Sequence, residues 1–168
     1  TSATFTVGVL PGGATGTVTL LEGETTLGSC TLSDGTCTIA TAALGAGDHT
    51  LFARYGGDVR TSEGDSATIV QTVTRTGSTT TLVASTDGTL VGRTVTLTAT
   101  VGPAGTGGYV TLFDGPTSIA TCALDGGTCS VTTGPLAVGT HAFRAEFGGD
   151  PNHTGSSDGT SVLVRRAA

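Results

Sequence analysis

Residues 44–58, LGAGDHTLFARYGGD, and residues 136–150, LAVGTHAFRAEFGGD, are two versions of one segment. Apolar side chains fall on alternate positions, Leu51, Ala53 and Tyr55 in the first and Phe143, Ala145 and Phe147 in the second. A period of two marks a strand with one buried face. Both versions end in Gly-Gly-Asp, where Gly permits positive φ and Asp bonds the backbone two residues on, so Gly56-Gly57-Asp58 and Gly148-Gly149-Asp150 read as turns.

The repetition runs outward in both directions. Shifting the chain by 92 residues aligns 4–73 with 96–165 without a gap, giving 26 identities in 70 pairs. GTVTLLEG (16–23) falls on GYVTLFDG (108–115), and GSCTLSDGTCTI (28–39) on ATCALDGGTCSV (120–131). Self-similarity on this scale is a domain written twice. The expected division is residues 1–75 and 76–168, joined through TRTGS (74–78), a junction short enough to make a stiff tandem.

Composition agrees with an all-β chain. Of 168 residues 28 are Gly and 37 Thr, both poor in helices, while Thr suits a pleated surface and Gly suits turns. The net charge is −6 and all seven basic residues are Arg, scattered except for Arg165-Arg166, so nothing follows a phosphate backbone. Apolar stretches are only strand-sized, too short to insert in a bilayer as helices. The opening TSATFTVGVL has no basic leader and no Met, which fits a mature chain or a piece of a larger one.

In the second copy, alternation and turn residues predict strands at 79–84, 94–101, 109–113, 118–124, 128–133, 140–147 and 160–165. Seven short strands in this length form a two-sheet sandwich. Val95, Leu97, Ala99, Val101, Val110, Leu112, Phe143, Ala145 and Phe147 are expected inside. Their counterparts are Ala3, Phe5, Val7, Val9, Val18, Leu20, Leu51, Ala53 and Tyr55, while Ile69 and Val73 compete with Val70 for the inner face of the last strand. The same offset carries 77–92, with the opening strand TTTLVAS, to positions before residue 1. The first copy therefore lacks its N-terminal strand within this sequence. Either the sequence is a fragment, or a strand from a neighbouring subunit fills the gap and builds an oligomer or filament.

TTTLVAS (79–85), TVTLTATVGPAGTGGYVTLFDG (94–115) and GTHAFRAEFGGDPNHTGSS (139–157) resemble the bacterial Ig-like repeats of large surface and secreted proteins. The resemblance covers 78–165 and, for the first copy, 3–73. It implies two tandem Ig-like β-sandwiches that act as stalks or spacers and sometimes as adhesive units. The cysteine pairs depart from the pattern, occupying hairpin positions where small residues are expected.

Cys30 with Cys37 and Cys122 with Cys129 repeat one spacing, as an oxidised extracytoplasmic framework does. A two-residue turn at Asp125-Gly126 would set Cys122 opposite Cys129 across a tight hairpin, and the same register would pair Cys30 with Cys37. The spacing is wrong for zinc. His49 and His141 recur on the inner phase of their strands, and alternation places no carboxylate beside them, so both read as neutral, hydrogen-bonded residues at the sheet rim. Asp58 and Asp150 supply one carboxylate per turn, short of a calcium site.

Asn152-His153-Thr154 matches a glycosylation sequon on a loop, a chance match for a bacterial source. The chain contains no Lys, and no catalytic or phosphate-binding motif occurs. Phe52, Tyr109 and Phe113 point outward and are the candidate platforms for a sugar. The expected role is a non-enzymatic stalk, spacer or adhesive segment of an extracellular or cell-surface assembly, without cofactor or metal. Its partners are other domains or subunits of that assembly. The alternative is a carbohydrate- or ligand-binding module on a surface protein or phage particle.

Overall fold

The computed structural model describes residues 2–167, which fold as strands and connecting turns, with no helix long and apolar enough to cross a membrane. The chain divides into two compact units, one ending at Thr74 and the other starting at Arg75.

In unit 1, β1 (Thr4–Gly8) pairs antiparallel with β4 (Thr36–Ala40) to form one sheet. The facing sheet runs β3 (Thr25–Thr31), β2 (Thr17–Glu22), β5 (Gly47–Tyr55), with β5 then pairing both β6 (Gly64–Asp65) and β7 (Ile69–Val73). Val18, Leu20, Ile39, Leu51 and Tyr55 are buried between the sheets. Tyr55 spends its hydroxyl on the carbonyl of Thr15 at 2.7 Å, so its ring enters the core without leaving a polar atom unpaired.

Unit 2 repeats this frame with two additions. Its smaller sheet is β13 (Thr128–Thr132), β10 (Thr96–Gly102), β8 (Thr79–Ala84), and its larger one β12 (Thr117–Ala123), β11 (Tyr109–Asp114), β14 (Gly139–Phe147), β15 (Ser156–Arg165), β9 (Gly88–Leu90). All inner residues named from alternation are buried here. The three residues of β9, parallel to β15, carry too little pattern to stand out in the sequence. On the outer faces Thr meets Thr or Ser across strands, Thr98 and Ser130 at 2.9 Å and Thr96 and Thr132 at 3.2 Å.

The two units differ where β8 and β9 lie. Leu97, Ala99 and Val101 are almost fully buried, whereas their counterparts Phe5, Val7 and Val9 are only half-buried. Among the described residues of unit 1 no strand covers the second edge of β1. The last strand also changes register. Arg54 faces Asp65 as Glu146 faces Ser157, but Leu51 faces Ile69 where the repeat frame, with Phe143 facing Thr160, calls for Thr68. This one-residue slip decides between Ile69, Val70 and Val73. Ile69 and Val73 share the phase of Leu51 and Gly47, and Val70 turns outward at 64% exposure, although its counterpart Val162 is fully buried.

Candidate functional site

The cysteines lie in a geometry that corrects the hairpin expectation. The turn is centred one residue later, on Asp34-Gly35 and Gly126-Gly127, with φ of 51° and 77° in the first and 57° and 83° in the second. Positive φ at both central positions makes it the mirror-image turn of tight hairpins. Beyond a single bridge, Ser33 to Thr36 or Asp125 to Thr128, the strands part into different sheets. Cys30 sits beside Val18 on β2 and Cys37 beside Val7 on β1; Cys122 sits beside Val110 and Cys129 beside Ala99. Cys30 is bonded to Cys37 and Cys122 to Cys129, with Cα atoms 5.9 and 6.0 Å apart. Each bridge thus ties one sheet of the sandwich to the other.

His49 and His141 also differ from expectation. Each has a carboxylate partner on the neighbouring strand: His49 Nδ1 lies 3.0 Å from Glu22 Oε1, and His141 Nδ1 lies 2.5 Å from Asp114 Oδ2. Glu22 and Asp114 end β2 and β11 on the inner phase of Leu20 and Leu112, opposite Leu51 and Phe143, so each shares a face with His49 or His141 two residues along the neighbouring strand. The other ring nitrogen faces a carbonyl 3.0 Å away, Gly45 in unit 1 and Ala137 in unit 2. Two acceptors need two N–H donors, which only the imidazolium has. The His49 pKa is raised by the Gly45 carbonyl and then by Glu22; that of His141 by Asp114 and then by the Ala137 carbonyl. The rings tie the loops ahead of β5 and β14 to the ends of β2 and β11, and the paired acceptors favour the protonated form over the neutral one.

The Gly-Gly-Asp turns work as backbone locks. Asp58 accepts from the N–H groups of Thr15, Arg60 and Thr61, and Asp150 from those of Gly107, Asn152 and His153. Donors on every side hold the Asp58 carboxyl far below the usual range, the Thr15 N–H contributing most. Burial pushes Asp150 up, but the His153 ring and the N–H groups outweigh it and bring it to about 2. Oxygens turned toward N–H donors are poorly placed for calcium, and no group of metal-ligating side chains occurs among the described residues.

The outward aromatics are divided between the two units. Phe52 lies in unit 1 with the Arg54 guanidinium 5.4 Å from its ring centroid, and Phe113 lies in unit 2 under Arg144 at 4.2 Å. Tyr109 is 67% exposed and shares the outer phase of β11 with Phe113.

Among the described residues the two units also differ at the seam that β8 and β9 occupy in unit 2. In unit 2 the seam is filled: Leu82 of β8 lies opposite Ala99, its N–H donates to Asp158 at 2.8 Å, and Ser78 and Thr80 each meet the Ser156 hydroxyl at 2.7 Å. At the matching place in unit 1 lies a cleft of about 260 Å³, lined by Val7, Val9, Leu10, Val18, Tyr55 and Ser66. A second, of about 280 Å³, is lined by Ser2, Ala3 and Gln71–Thr74, whose counterparts adjoin β9. Leu10 beside the first is 88% exposed and Ile69, on the inner phase of β7, 50%.

Two sandwiches in which a β13-β10-β8 sheet, or its two-stranded equivalent, faces a larger sheet built around β11-β14-β15 or β2-β5 define the immunoglobulin-like class. The chain belongs to the bacterial Ig-like domain (group 3) family, which matches residues 1–74 and 76–165. Among solved structures it is similar to the fibronectin(III)-like modules of Clostridium thermocellum CbhA, at 16% identity and a TM-score of 0.45, over 98% of this chain and 86% of that one. It is also similar to the D0-D1 domain of intimin, at 16% identity and a TM-score of 0.39, over 97% and 90% of the two chains. The Yersinia pseudotuberculosis adhesin InvE aligns at 15% identity and a TM-score of 0.41, over 98% of this chain and 49% of that one. No curated protein matches the sequence.

Proposed function

We propose that the chain is a non-enzymatic spacer or stalk segment of an extracellular or cell-surface assembly, made of two Ig-like domains, residues 1–75 and 76–168. The observation that carries this reading is the inter-sheet disulfide present in both units. A covalent tie between sheets opposes their separation under load, and repeating it in each unit serves a part that transmits force. Persistence of the bridges requires an oxidising compartment outside the cytoplasm. Family membership supports a surface role, and the partners are neighbouring domains or subunits.

The test is a bead assay. Beads carrying a known lectin head directly, or through the 168-residue chain, are scored for capture on a glycan-coated surface. A spacer improves capture while the chain without the head captures nothing. Attachment by the chain alone would replace the spacer by an adhesive segment. A carbohydrate-binding module is the second reading, favoured by the exposure of Tyr109; a glycan array with binding lost in Tyr109→Ala would establish it.

A further inference from the structure

We propose that the turn 150–154 is a latch for the chain entering unit 2, which narrows the joint between the units to Thr74 and Arg75. The proposal rests on the spacer reading above and names what sets the bending of that spacer. Thr76 forms a parallel bridge with His153 before any strand of unit 2 begins. Its N–H donates to the carbonyl of Asn152 at 2.8 Å, and its own carbonyl accepts from the N–H of Thr154 at 2.9 Å. Next, the Ser78 hydroxyl donates to the carbonyl of Thr154 at 2.6 Å, and β8 starts at Thr79. On the other side, Val73 faces Gly47 as the last residue of β7. Only Thr74 and Arg75 stand between the two held segments.

The turn holds its guest by main chain alone. Asp150 accepts from the N–H groups of Gly107, Asn152 and His153, and its own N–H donates to the His153 carbonyl at 3.1 Å. The same network recurs around Asp58, whose carboxylate accepts from Thr15, Arg60 and Thr61 and whose N–H donates to the Thr61 carbonyl at 2.8 Å, so the shape belongs to the repeat. In unit 2 the Asn152 carbonyl and the Thr154 N–H are the groups that Thr76 takes, while the Thr76 side chain stays exposed. Each free residue contributes two soft dihedrals, and tandem domains move about their linkers by default. A stretch of Thr, Gly and Ser such as TRTGS (74–78) would bend freely along its whole length. Pinned from Thr76 onward, it bends only at its first two residues, and the Asp150 turn sets the stiffness.

The experiment compares the 168-residue chain with two variants that each carry an inserted Gly-Ser pair, one between Thr74 and Arg75 and one between Gly77 and Ser78. Backbone nitrogen relaxation by NMR reads the tumbling time of each unit. The first insertion lengthens the free joint and should shorten both tumbling times. The second lies behind the latch and should leave them at wild-type values. In the wild-type chain the Thr76 amide should be protected from solvent exchange at least about ten-fold relative to that of Arg75. Thr76→Ala should keep that protection and Asp150→Ala should abolish it. Equal loosening by both insertions would overturn the proposal, as would a Thr76 amide that exchanges like Arg75 or one that stays protected in Asp150→Ala. Should Asp150→Ala unfold unit 2, the pair of insertions decides the matter alone. A failed latch leaves the spacer reading intact, because that is read in the bead assay.

Discussion

His141 is clamped between Asp114, 2.5 Å from Nδ1, and the carbonyl of Ala137, 3.0 Å from Nε2, and the same clamp recurs on His49. Both ring nitrogens face acceptors, so the folded state prefers the protonated ring and raises its pKa above the ordinary 6.5. A raised folded-state pKa gives stability that is fully present below the unfolded value and lost as pH rises through the folded one. Thermal midpoints should therefore fall on going from slightly acidic to slightly alkaline buffer. NMR titration should place both rings above 6.5, and Asp114→Asn should move His141 alone back down. Unshifted midpoints across this window would show that the clamp contributes nothing.

Replacing Cys122 and Cys129 together by Ser should destabilise unit 2 by about 2–3 kcal/mol on the chain-entropy account. Its core of Leu97, Val110, Phe143 and Phe147 stays in place, so the unit should still fold and melt cooperatively. Chemical denaturation of each unit, followed by residue-resolved NMR, reads the difference. A loss of folded signal from the whole unit would mean that the bridge is needed for folding and not only for stability.

Val70 and Val162 occupy one position of the repeat and should respond oppositely to truncation. Val162→Ala removes two buried methyl groups and should cost about 2 kcal/mol. Val70→Ala, at a side chain 64% exposed, should stay within about 0.5 kcal/mol. Equal losses would place Val70 in the core and contradict the one-residue slip of β7.

That slip shows where the sequence stops being informative. Alternation identified Leu97, Ala99, Val110 and Phe143 as core residues because each lies in a long strand with one wet face. In the last strand of unit 1, Ile69 and Val73 fit one phase and Val70 the other, and the register follows from the extra residue between Asp65 and Ile69, where three residues face Phe52 and Ala53. The cysteines were visible, but not their place between sheets, since a hairpin and a sheet-to-sheet crossing differ by one turn residue. One signal was available: Cys37 shares its phase with Ile39, a core residue. The clamp partners were legible in principle too, because Glu22 and Asp114 align as acidic residues after the same apolar pair. Alternation carried to the last residue of each strand puts them with the histidines, since Glu22 and Asp114 lie two residues beyond Leu20 and Leu112 and face Leu51 and Phe143.

Gly149 has φ of 94°, and a Cβ built there would come within 2.9 Å of the carbonyl oxygen of His153, a backbone atom that cannot swing away. Positive φ alone costs an L-residue about 1–2 kcal/mol, and the contact adds to it. Gly148, next in the chain, has nothing within 4 Å of such a Cβ and no positive φ. Gly149→Ala should thus destabilise unit 2 by at least about 2 kcal/mol, and Gly148→Ala by no more than about 0.5 kcal/mol. The larger loss should also disturb Asp150, whose carboxylate is held at about 2 by the turn that Gly149 shapes. A depressed carboxylate pKa contributes stability above its unfolded value, lost as pH falls through the folded one. In the wild-type chain this part of the stability therefore disappears between about pH 4 and 2. In Gly149→Ala the Asp150 pKa should rise toward its ordinary value and the acid-dependent part should shrink, measurable as a smaller drop in melting temperature over that window. A full-sized drop would mean that the carboxylate keeps its donors without the glycine.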